Sequence, residues 1–255
     1  MKKKIKVLQV IPKLGYGGAE TGCYDLAHFL PEQGCKSFIV TSGGVLLKFI
    51  KKEKVKVFRL PVQSKNPILI LFNAIIISLI ILIYNINIIH ARSRAPAWSC
   101  LIATKITSRK FVTTFHGTYN FSNRFKKFYN SVMVRSHLVI AGSNFIFSHI
   151  NKNYTDFFLN KKRKLLVIFR GINANYFNSQ KISLSKIEKF SKKNSIDRDK
   201  FIILLPGRLS FWKGQKIFLK DLDYLLNKII NIPLEEIIMV ANKEKVVSKN
   251  NLILW

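Results

Sequence analysis

Acidic residues and cysteines are both scarce in this chain of 255 residues. It has 13 Asp and Glu against 43 Lys and Arg, which gives a formal charge of +30 at pH 7, and it has 3 cysteines. An odd number of cysteines without metal-ligand spacing argues against a disulfide framework and against a zinc site. We therefore expect a cytoplasmic protein in a reducing compartment.

The excess of positive charge has two interpretations. It favours an anionic partner, such as a membrane surface, a nucleic acid or a phosphorylated substrate. It is also consistent with a general bias of composition that has no bearing on function, because the lysines are scattered along the chain rather than gathered on one element. Net charge bears on association rather than on fold, so both interpretations stay open.

The longest apolar run, residues 68–83, is broken only by Asn73 and Ser78. A spanning helix needs roughly 20 apolar residues, and this run is shorter and lies between two predicted strands. We expect a crossover helix packed on a sheet. The alternatives are a transmembrane helix and a helix partly dipped into the surface of a bilayer. The first residues lack the long apolar run and cleavage site of a secretion signal, and we interpret them as a strand.

Short apolar runs, in contrast, are abundant, and they alternate with segments of helical length. This alternation is typical of βαβ units around a parallel sheet. Seven runs are predicted to be strands, at residues 5–11, 37–42, 55–60, 86–91, 110–115, 137–142 and 165–169. They predict an α/β, Rossmann-like N-terminal domain over residues 1–172.

The pattern changes after residue 172. A polar, lysine-rich stretch at 173–200 is predicted to be a linker with helix. Residues 201–255 then show three more apolar runs and a helical segment from about residue 214 to residue 230, which predicts the start of a second Rossmann-like domain. A compact α/β domain usually needs about 100 residues or more, so we expect this second domain to be incomplete.

Polar residues follow several of the predicted strands, at the edge where parallel α/β sheets bind ligands. Glycines in the first of these loops would let the backbone come close to a ligand. A histidine at a strand end is often simply hydrogen-bonded in place. Two histidines beside arginines on one edge fit a site that moves a proton equally well, so both interpretations stay open. The residues are "GYGGAE" at 15–20 after the first strand, His90, Arg92 and Arg94 at the fourth, His116 after the fifth and Arg170 after the seventh.

A second group of cations lies in "LLPGRLSFWKGQ", residues 204–215. Arg208 and Lys213 precede a predicted helix, and two cations beside a helix N-terminus form a suitable diphosphate clamp. The plainer alternative is an ordinary cationic loop.

Six motifs follow one another in a fixed order and together resemble a known family. They are "GYGGAE", "IIHARSRAPAW", "VTTFHGTY", "VIAGSNF", "VIFRGINANYF" and "PGRLSFWKGQ". Their order and approximate spacing resemble the GT-B glycosyltransferases of family four. Members closest to this pattern act in lipopolysaccharide and other surface-glycan assembly in the cell envelope. The resemblance covers about residues 5 to 220.

The resemblance implies a retaining, metal-independent transfer of a sugar from a nucleotide-sugar donor to a surface-glycan or lipid-linked acceptor. It implies no cofactor and no nucleic-acid partner. It is consistent with a cytoplasmic protein that contacts an anionic membrane peripherally, at the inner face of the cytoplasmic membrane.

The resemblance also implies roles for individual residues. Gly17 and Gly18 would approach the donor diphosphate, and Arg208 and Lys213 would hold it. His116 would face the reacting sugar or the acceptor as the catalytic residue. The acceptor-side candidates are His90, Arg92, Arg94 and Arg170.

Two departures from the family pattern affect these expectations. Asn173 replaces the acid of the family's "GID" turn, and the paired-glutamate motif that grips the donor is not recognisable in the chain. Glu236 and Glu244 have its separation but not its glycine-containing context. We therefore expect the chain alone to bind nucleotide sugar weakly and to turn it over poorly, and an inactive fragment is the alternative.

Two other function classes fit the same residues less well. An NAD-dependent oxidoreductase needs G-x-G-x-x-G and an acid about 20 residues further on, whereas this loop reads G-x-G-G and "SFIVTSGG" carries no acid. The hypothesis of a basic protein that binds nucleic acid or a membrane surface would rest on charge alone, because no helix-turn-helix, zinc-finger or RNA-recognition signature occurs.

Overall fold

The structure is a computed structural model that describes residues 4–119, 121–159, 162–194, 196, 203–205, 211–228, 237–239 and 252–254. The chain divides into two compact units, Met1–Gly171 and Ile172–Trp255. Each unit is described by itself.

The first unit is built on a parallel sheet of seven strands. Their order across the sheet is β3-β2-β1-β4-β5-β6-β7, and every neighbouring pair is parallel. All seven predicted strands are confirmed, with ends that differ by a few residues. The strands are β1 (Lys6–Val10), β2 (Lys36–Thr41), β3 (Val55–Arg59), β4 (Ile88–Ala91), β5 (Lys110–Phe115), β6 (Leu138–Ala141) and β7 (Lys164–Val167).

Helices cover both faces of this sheet, as the βαβ pattern requires. One buried cluster joins the sheet to α1 (Gly18–Glu32) and to the 3-10 helix Val45–Phe49. A larger cluster on the opposite face joins the sheet to the other helices of the unit. These are α2 (Pro67–Tyr84), α3 (Arg94–Thr107), α4 (Arg124–Ser131) with the 3-10 turn that follows it, and α5 (Asn144–Tyr154).

Helix α2 has well-defined ends. The Asn66 side chain caps its first turn by accepting a hydrogen bond of 2.8 Å from the Ile68 N–H, and Pro67 occupies the first turn, where its missing N–H costs nothing. At the other end, Asn85 adopts the left-handed conformation with φ 50°, which stops the helix. The segment is thus the crossover between β3 and β4, as predicted.

The two faces of α2 differ in an unusual way. Its buried face includes two polar residues, and Asn73 donates to the Pro61 carbonyl while Ser78 donates to the Ala74 carbonyl. Its outer face carries large apolar side chains that are 47–78% exposed. We call this face the apolar row, and it comprises Ile68, Leu71, Phe72, Ile75, Leu79, Leu82 and Ile83.

Among the described residues, α2 is also the one helix long and apolar enough to cross a membrane by length and composition, with a mean hydropathy of 2.7. One third of its residues, 33%, are buried inside the protein.

The second unit contains a helix α6 (Leu184–Lys193), a helix α7 (Gln215–Lys228) and a small parallel sheet. Its strands are β8 (Ile203–Leu204), β9 (Ile237–Met239) and β10 (Leu252–Leu254), in the order β10-β9-β8. Helix α6 lies within the stretch that the sequence predicts as a linker.

Candidate functional site

The first glycine loop leads directly into α1. Gly17 is the N-cap residue of the helix, and no side chain caps this end. Neither Gly17 nor Gly18 needs the left-handed conformation, because Gly17 has φ −73° and Gly18 lies within the helix. The absence of side chains at these positions therefore serves access to the helix N-terminus, where free N–H groups and the helix dipole favour an anion.

A second loop, after β2, holds the first one in place. The Leu14 N–H donates to the Gly43 carbonyl at 2.8 Å, and the Leu14 carbonyl accepts from the Leu46 N–H at 3.0 Å. Gly44 has φ 131°, and a Cβ at this position would collide with the Leu14 backbone. Position 44 thus requires glycine for two reasons, its left-handed φ and its close approach to the Leu14 backbone. Gly44 is not among the residues predicted from the sequence, although two glycines directly after a strand were the available signal.

Arg170 lies across the first turn of α1. Its Nη2 donates to the Thr21 hydroxyl at 3.4 Å, and its Nη1 lies 2.6 Å from the place where a Cβ on Gly18 would be. Arg170 is exposed and follows the end of β7 by three residues. A guanidinium at an uncapped helix N-terminus is an anion-binding arrangement of the kind used for phosphates.

Glu20 occupies the other side of the same helix end. Its carboxylate lies where a Cβ on Gly17 would be, with the carboxyl carbon 2.9 Å from that point. A carboxylate in the first turn stabilises the helix dipole, and it would also repel an incoming phosphate. Gly17 and Gly18, which the sequence treats alike, therefore lie beside charges of opposite sign.

Arg92 is held beneath this surface by Gln9, a residue that was not predicted from the sequence. Gln9 is fully buried in β1, where its Nε2 donates to the Cys23 carbonyl at 3.1 Å and its Oε1 accepts from Arg92 Nε at 2.9 Å. Arg92 is only 8% exposed. Burial lowers the pKa of Arg92, and the positive charge of Arg170 lowers it further. A glutamine in the middle of an apolar strand was the signal that could have pointed to this pair.

His116 directly follows β5 and is largely buried. Burial, together with the positive charges of Arg92 and Arg170, lowers the pKa of His116 to about 4. Its Nε2 is buried and has no hydrogen-bond partner among the described residues. The imidazole is therefore neutral at physiological pH, and its buried Nε2 has an unused capacity for a hydrogen bond. A bound anion would offset the nearby cations and raise the pKa of His116 back towards its ordinary range.

His90 and Arg94 have partners inside the fold. His90 lies within β4, where its Nε2 forms a hydrogen bond of 2.7 Å with the Thr114 hydroxyl. Burial and the charge of Arg92 hold the pKa of His90 well below its ordinary value. Arg94 Nη1 donates to Asn130 Oδ1 at 2.8 Å, and its guanidinium stacks 4.4 Å from the centre of the Tyr119 ring. These contacts account for both residues without a ligand.

The lowered pKa values of His116 and His90 make stability depend on pH. In the unfolded chain these histidines take up protons below about pH 6.5. In the folded chain His116 takes up its proton only near pH 4. The free energy of unfolding should therefore fall as the pH falls, by about 2 kcal/mol between about pH 7.5 and about pH 5 from His116 alone. Denaturant titrations at both pH values measure this difference.

His116→Gln is the matched variant for this experiment, because glutamine keeps a polar side chain but does not titrate. We expect its stability to fall about 2 kcal/mol less than that of the parent over the same interval. An unchanged pH dependence in the variant would contradict a depressed pKa at His116.

The structure thus brings part of the predicted site together. Gly17, Gly18, Arg92, His116 and Arg170 meet at the carboxyl ends of the strands, with Gln9 and Glu20 added. Lys213 is exposed in the second unit, as the last residue of the 3-10 helix Phe211–Lys213 that precedes α7. Arg208 lies outside the described residues. Among the described residues, no group of three or more His, Cys, Asp or Glu could hold a metal ion.

Comparison with known families gives a match over most of the first unit. A family model described as Glycosyltransferase Family 4 matches residues 16–176. No curated protein is significantly similar in sequence to the chain.

Solved structures give further matches. A glycosyltransferase from Rickettsia africae ESF-5 shares 40% identity with a TM-score of 0.79, over 94% of this chain and 61% of that one. Anabaena HepE, solved with UDP and glucose, shares 20% identity with a TM-score of 0.68, over 92% of this chain and 61% of that one. Sucrose-phosphate synthase from Thermosynechococcus elongatus shares 12% identity with a TM-score of 0.68, over 99% and 70%. The last two matches show the fold alone, and the chain spans 61% of the length of each of the first two structures.

Proposed function

This chain belongs to glycosyltransferase family 4, and on that basis we propose that it acts in the transfer of a sugar from a nucleotide-sugar donor. The fold class predicted from the sequence, α/β with a Rossmann-like sheet of the GT-B type, is confirmed. The observation that carries the proposal is the position of Arg170 and the uncapped N-terminus of α1 beside Gly18, with His116 on the same edge of the sheet.

We propose that the donor diphosphate binds at Gly18 and at Arg170, which the resemblance places among the acceptor-side candidates. The α1 N–H groups and the guanidinium would neutralise the negative charge that grows on the nucleotide as it leaves, which is the role that a metal ion plays in other transferases. Arg208 and Lys213 stay predicted donor ligands of the second unit. Because Anabaena HepE was solved with UDP-glucose, UDP-sugars are the first donors to test.

We propose His116 as the residue that faces the reacting centre. Its imidazole is neutral, and a rotation of the ring would bring the buried, unpaired Nε2 to a hydroxyl of the donor sugar or of the acceptor. Arg92 would act through its charge, because it lies beneath the surface and is fixed by Gln9. The acceptor that we propose is a surface glycan or a lipid-linked sugar, reached from the cytoplasmic face of the membrane.

The test is a transfer assay with labelled nucleotide sugars and an extracted lipid fraction as the source of acceptors. We expect slow transfer that continues in the presence of EDTA, and nuclear magnetic resonance of the product should show the anomeric configuration of the donor. Inversion, or activity that EDTA abolishes, would contradict a retaining and metal-independent reaction. Binding of a nicotinamide cofactor in place of nucleotide sugars would contradict the proposal as a whole.

Gly18→Val is the variant that separates ligand binding from folding. A valine side chain would displace the Arg170 guanidinium, whose Nη1 lies 2.6 Å from the position that the added Cβ would take. Gly18 does not have a left-handed backbone conformation, so the free energy of unfolding of the variant should change by no more than about 1 kcal/mol. Affinity for UDP, measured by calorimetric titration, should fall about tenfold.

Gly17→Val is the companion variant, and it would displace Glu20 instead of Arg170. We expect it to weaken UDP binding less than Gly18→Val does. If stability and affinity fall in proportion in both variants, the two glycines serve the turn rather than the ligand.

A further inference from the structure

We propose that the α2 side of the first unit docks on an anionic phospholipid surface, with the apolar row of α2 in the headgroup boundary and a neighbouring basic cleft on the lipid phosphates. The proposal does not depend on transferase activity, and it specifies which surface meets the membrane.

The apolar row is a continuous stripe, because its members recur at helical spacing from Ile68 to Ile83. All seven side chains are large, and they are 47–78% exposed. A contiguous group of large, exposed apolar side chains on a protein surface marks an interaction surface. The row has no polar member, although the buried face of the same helix includes Asn73 and Ser78.

Helix α2 lies on a membrane rather than across it. It connects β3 to β4, which are strands of one parallel sheet. Its inner side chains Ile77 and Ile81 are fully buried in the core, and Ser99 of α3 donates to the Ile70 carbonyl at 2.9 Å. Insertion across a bilayer would expose this core and break the sheet, whereas contact along the outer face requires neither.

The basic cleft lies on the same helical layer, at the amino ends of β5 and β6. Its volume is about 430 Å³, and its wall includes the end of α3. Arg109 joins it to α2, because Arg109 Nη2 donates at 3.0 Å to Oδ1 of Asn85, the residue that ends α2. The cations on its wall are Lys105, Arg109, Lys110, Arg135 and Arg163. His137 also lines the wall, and burial lowers its pKa.

The cations of the cleft are short of counter-charges. Arg109 Nε is buried without a hydrogen-bond partner among the described residues. Burial lowers the pKa of Arg135, and the charge of Arg163 lowers it further, so these two guanidinium groups repel each other. A bound phosphate would relieve this repulsion, because it supplies several acceptors and negative charge.

The chain sequence supports the choice of an anionic partner for the whole layer. No Asp or Glu occurs between Lys54 and Thr155, the segment that forms α2, α3, α4 and α5. Among the described residues, the one ion pair, Lys54 to Glu32, lies outside this layer. A surface that combines an apolar stripe with uncompensated cations matches a membrane rich in anionic lipid.

The test is sedimentation of the 255-residue chain with lipid vesicles. We expect binding to vesicles of phosphatidylcholine and phosphatidylglycerol in equal amounts, and at least about tenfold weaker binding to pure phosphatidylcholine. Two double variants probe the two parts of the surface. Leu71→Gln with Leu79→Gln removes apolar contact, and Lys105→Gln with Lys110→Gln removes charge, and each should weaken binding about tenfold or more.

Matched controls lie on the opposite face of the sheet. Phe29→Gln with Phe49→Gln replaces two side chains that are 52% and 55% exposed, and Lys48→Gln with Lys52→Gln replaces two exposed cations. Both controls should bind as the parent does. Thermal unfolding checks that each variant is folded, and Ile83→Gln, at a position that is 73% exposed, replaces the α2 pair if that pair unfolds.

Four results would overturn the proposal. The parent chain does not bind anionic vesicles, or the control variants weaken binding as much as the α2 and cleft variants do. The parent chain is a dimer that does not bind vesicles, and the α2 variant is a monomer, which assigns the apolar row to contact with a second copy of the chain. The chain binds duplex DNA in a salt-sensitive way and ignores vesicles, which assigns the cleft to nucleic acid.

Discussion

Gly44→Ala is expected to lower the free energy of unfolding by about 3 kcal/mol or more. Gly44 has φ 131°, a conformation that L side chains rarely adopt, and an added methyl group would meet the Leu14 backbone nitrogen at 2.6 Å. Backbone cannot move aside as the end of a flexible side chain can. Leu14 is also fixed through its N–H and its carbonyl by the same loop. Denaturant-induced unfolding of the purified chain measures the loss.

Two other glycines provide a graded control for this variant. Gly34 has φ 74° and free space around it, so Gly34→Ala should cost about 1–2 kcal/mol. Gly15 has neither a left-handed backbone nor a neighbour within 4 Å of the added carbon, so Gly15→Ala should stay within about 0.5 kcal/mol of the parent. If Gly44→Ala is no worse than Gly34→Ala, the close approach to Leu14 does not govern this loop.

Arg170→Gln is expected to weaken UDP binding about 10- to 100-fold while leaving stability nearly unchanged. Arg170 is exposed and its single hydrogen bond within the described residues, to Thr21, is long at 3.4 Å. The fold therefore gains little from it, whereas a phosphate at the α1 N-terminus would receive two charged donors. Calorimetric titration of the chain with UDP measures the change.

Glu20→Gln should change the same affinity in the opposite direction. Removing the carboxylate beside Gly17 removes repulsion of the ligand, so we expect UDP binding to tighten about fourfold. Arg59→Gln, at the end of the edge strand β3, is the matched control and should bind UDP as the parent does. Equal effects of Arg170→Gln and Arg59→Gln would mean that net charge, and not a site, governs binding.

The sequence predicts the sheet well for a physical reason. Strands that are buried on both faces are continuous apolar runs, and each is separated from the next by enough residues for a helix. Two polar members of these runs are buried with partners, His90 with Thr114 and Gln9 with Arg92. The position of the candidate site at the strand ends follows from the same pattern, because connectivity alone places those ends on one edge.

The sequence predicts the part played by each polar residue less well, because it shows position along the chain but not contacts across it. Arg92 and Arg94 are two residues apart, yet one lies beneath the Gly18 surface and the other stacks on Tyr119. Gly17 and Gly18 are adjacent, yet they face Glu20 and Arg170. The pattern of apolar residues could not show which face of α2 is exposed either, because the helix is apolar on almost every side.

The exposed apolar row of α2 has a consequence for the colloidal behaviour of the chain. In water, mutual repulsion between copies that each carry a charge of +30 opposes contact between their apolar rows. That repulsion has a short range, about 8 Å at physiological ionic strength, and salt shortens it further. Added salt also strengthens the tendency of apolar surface to leave water when the salt is sulfate or phosphate. The chain is therefore best kept dispersed in dilute buffers of low ionic strength, and it is driven towards self-association by the salts that are commonly used to concentrate proteins.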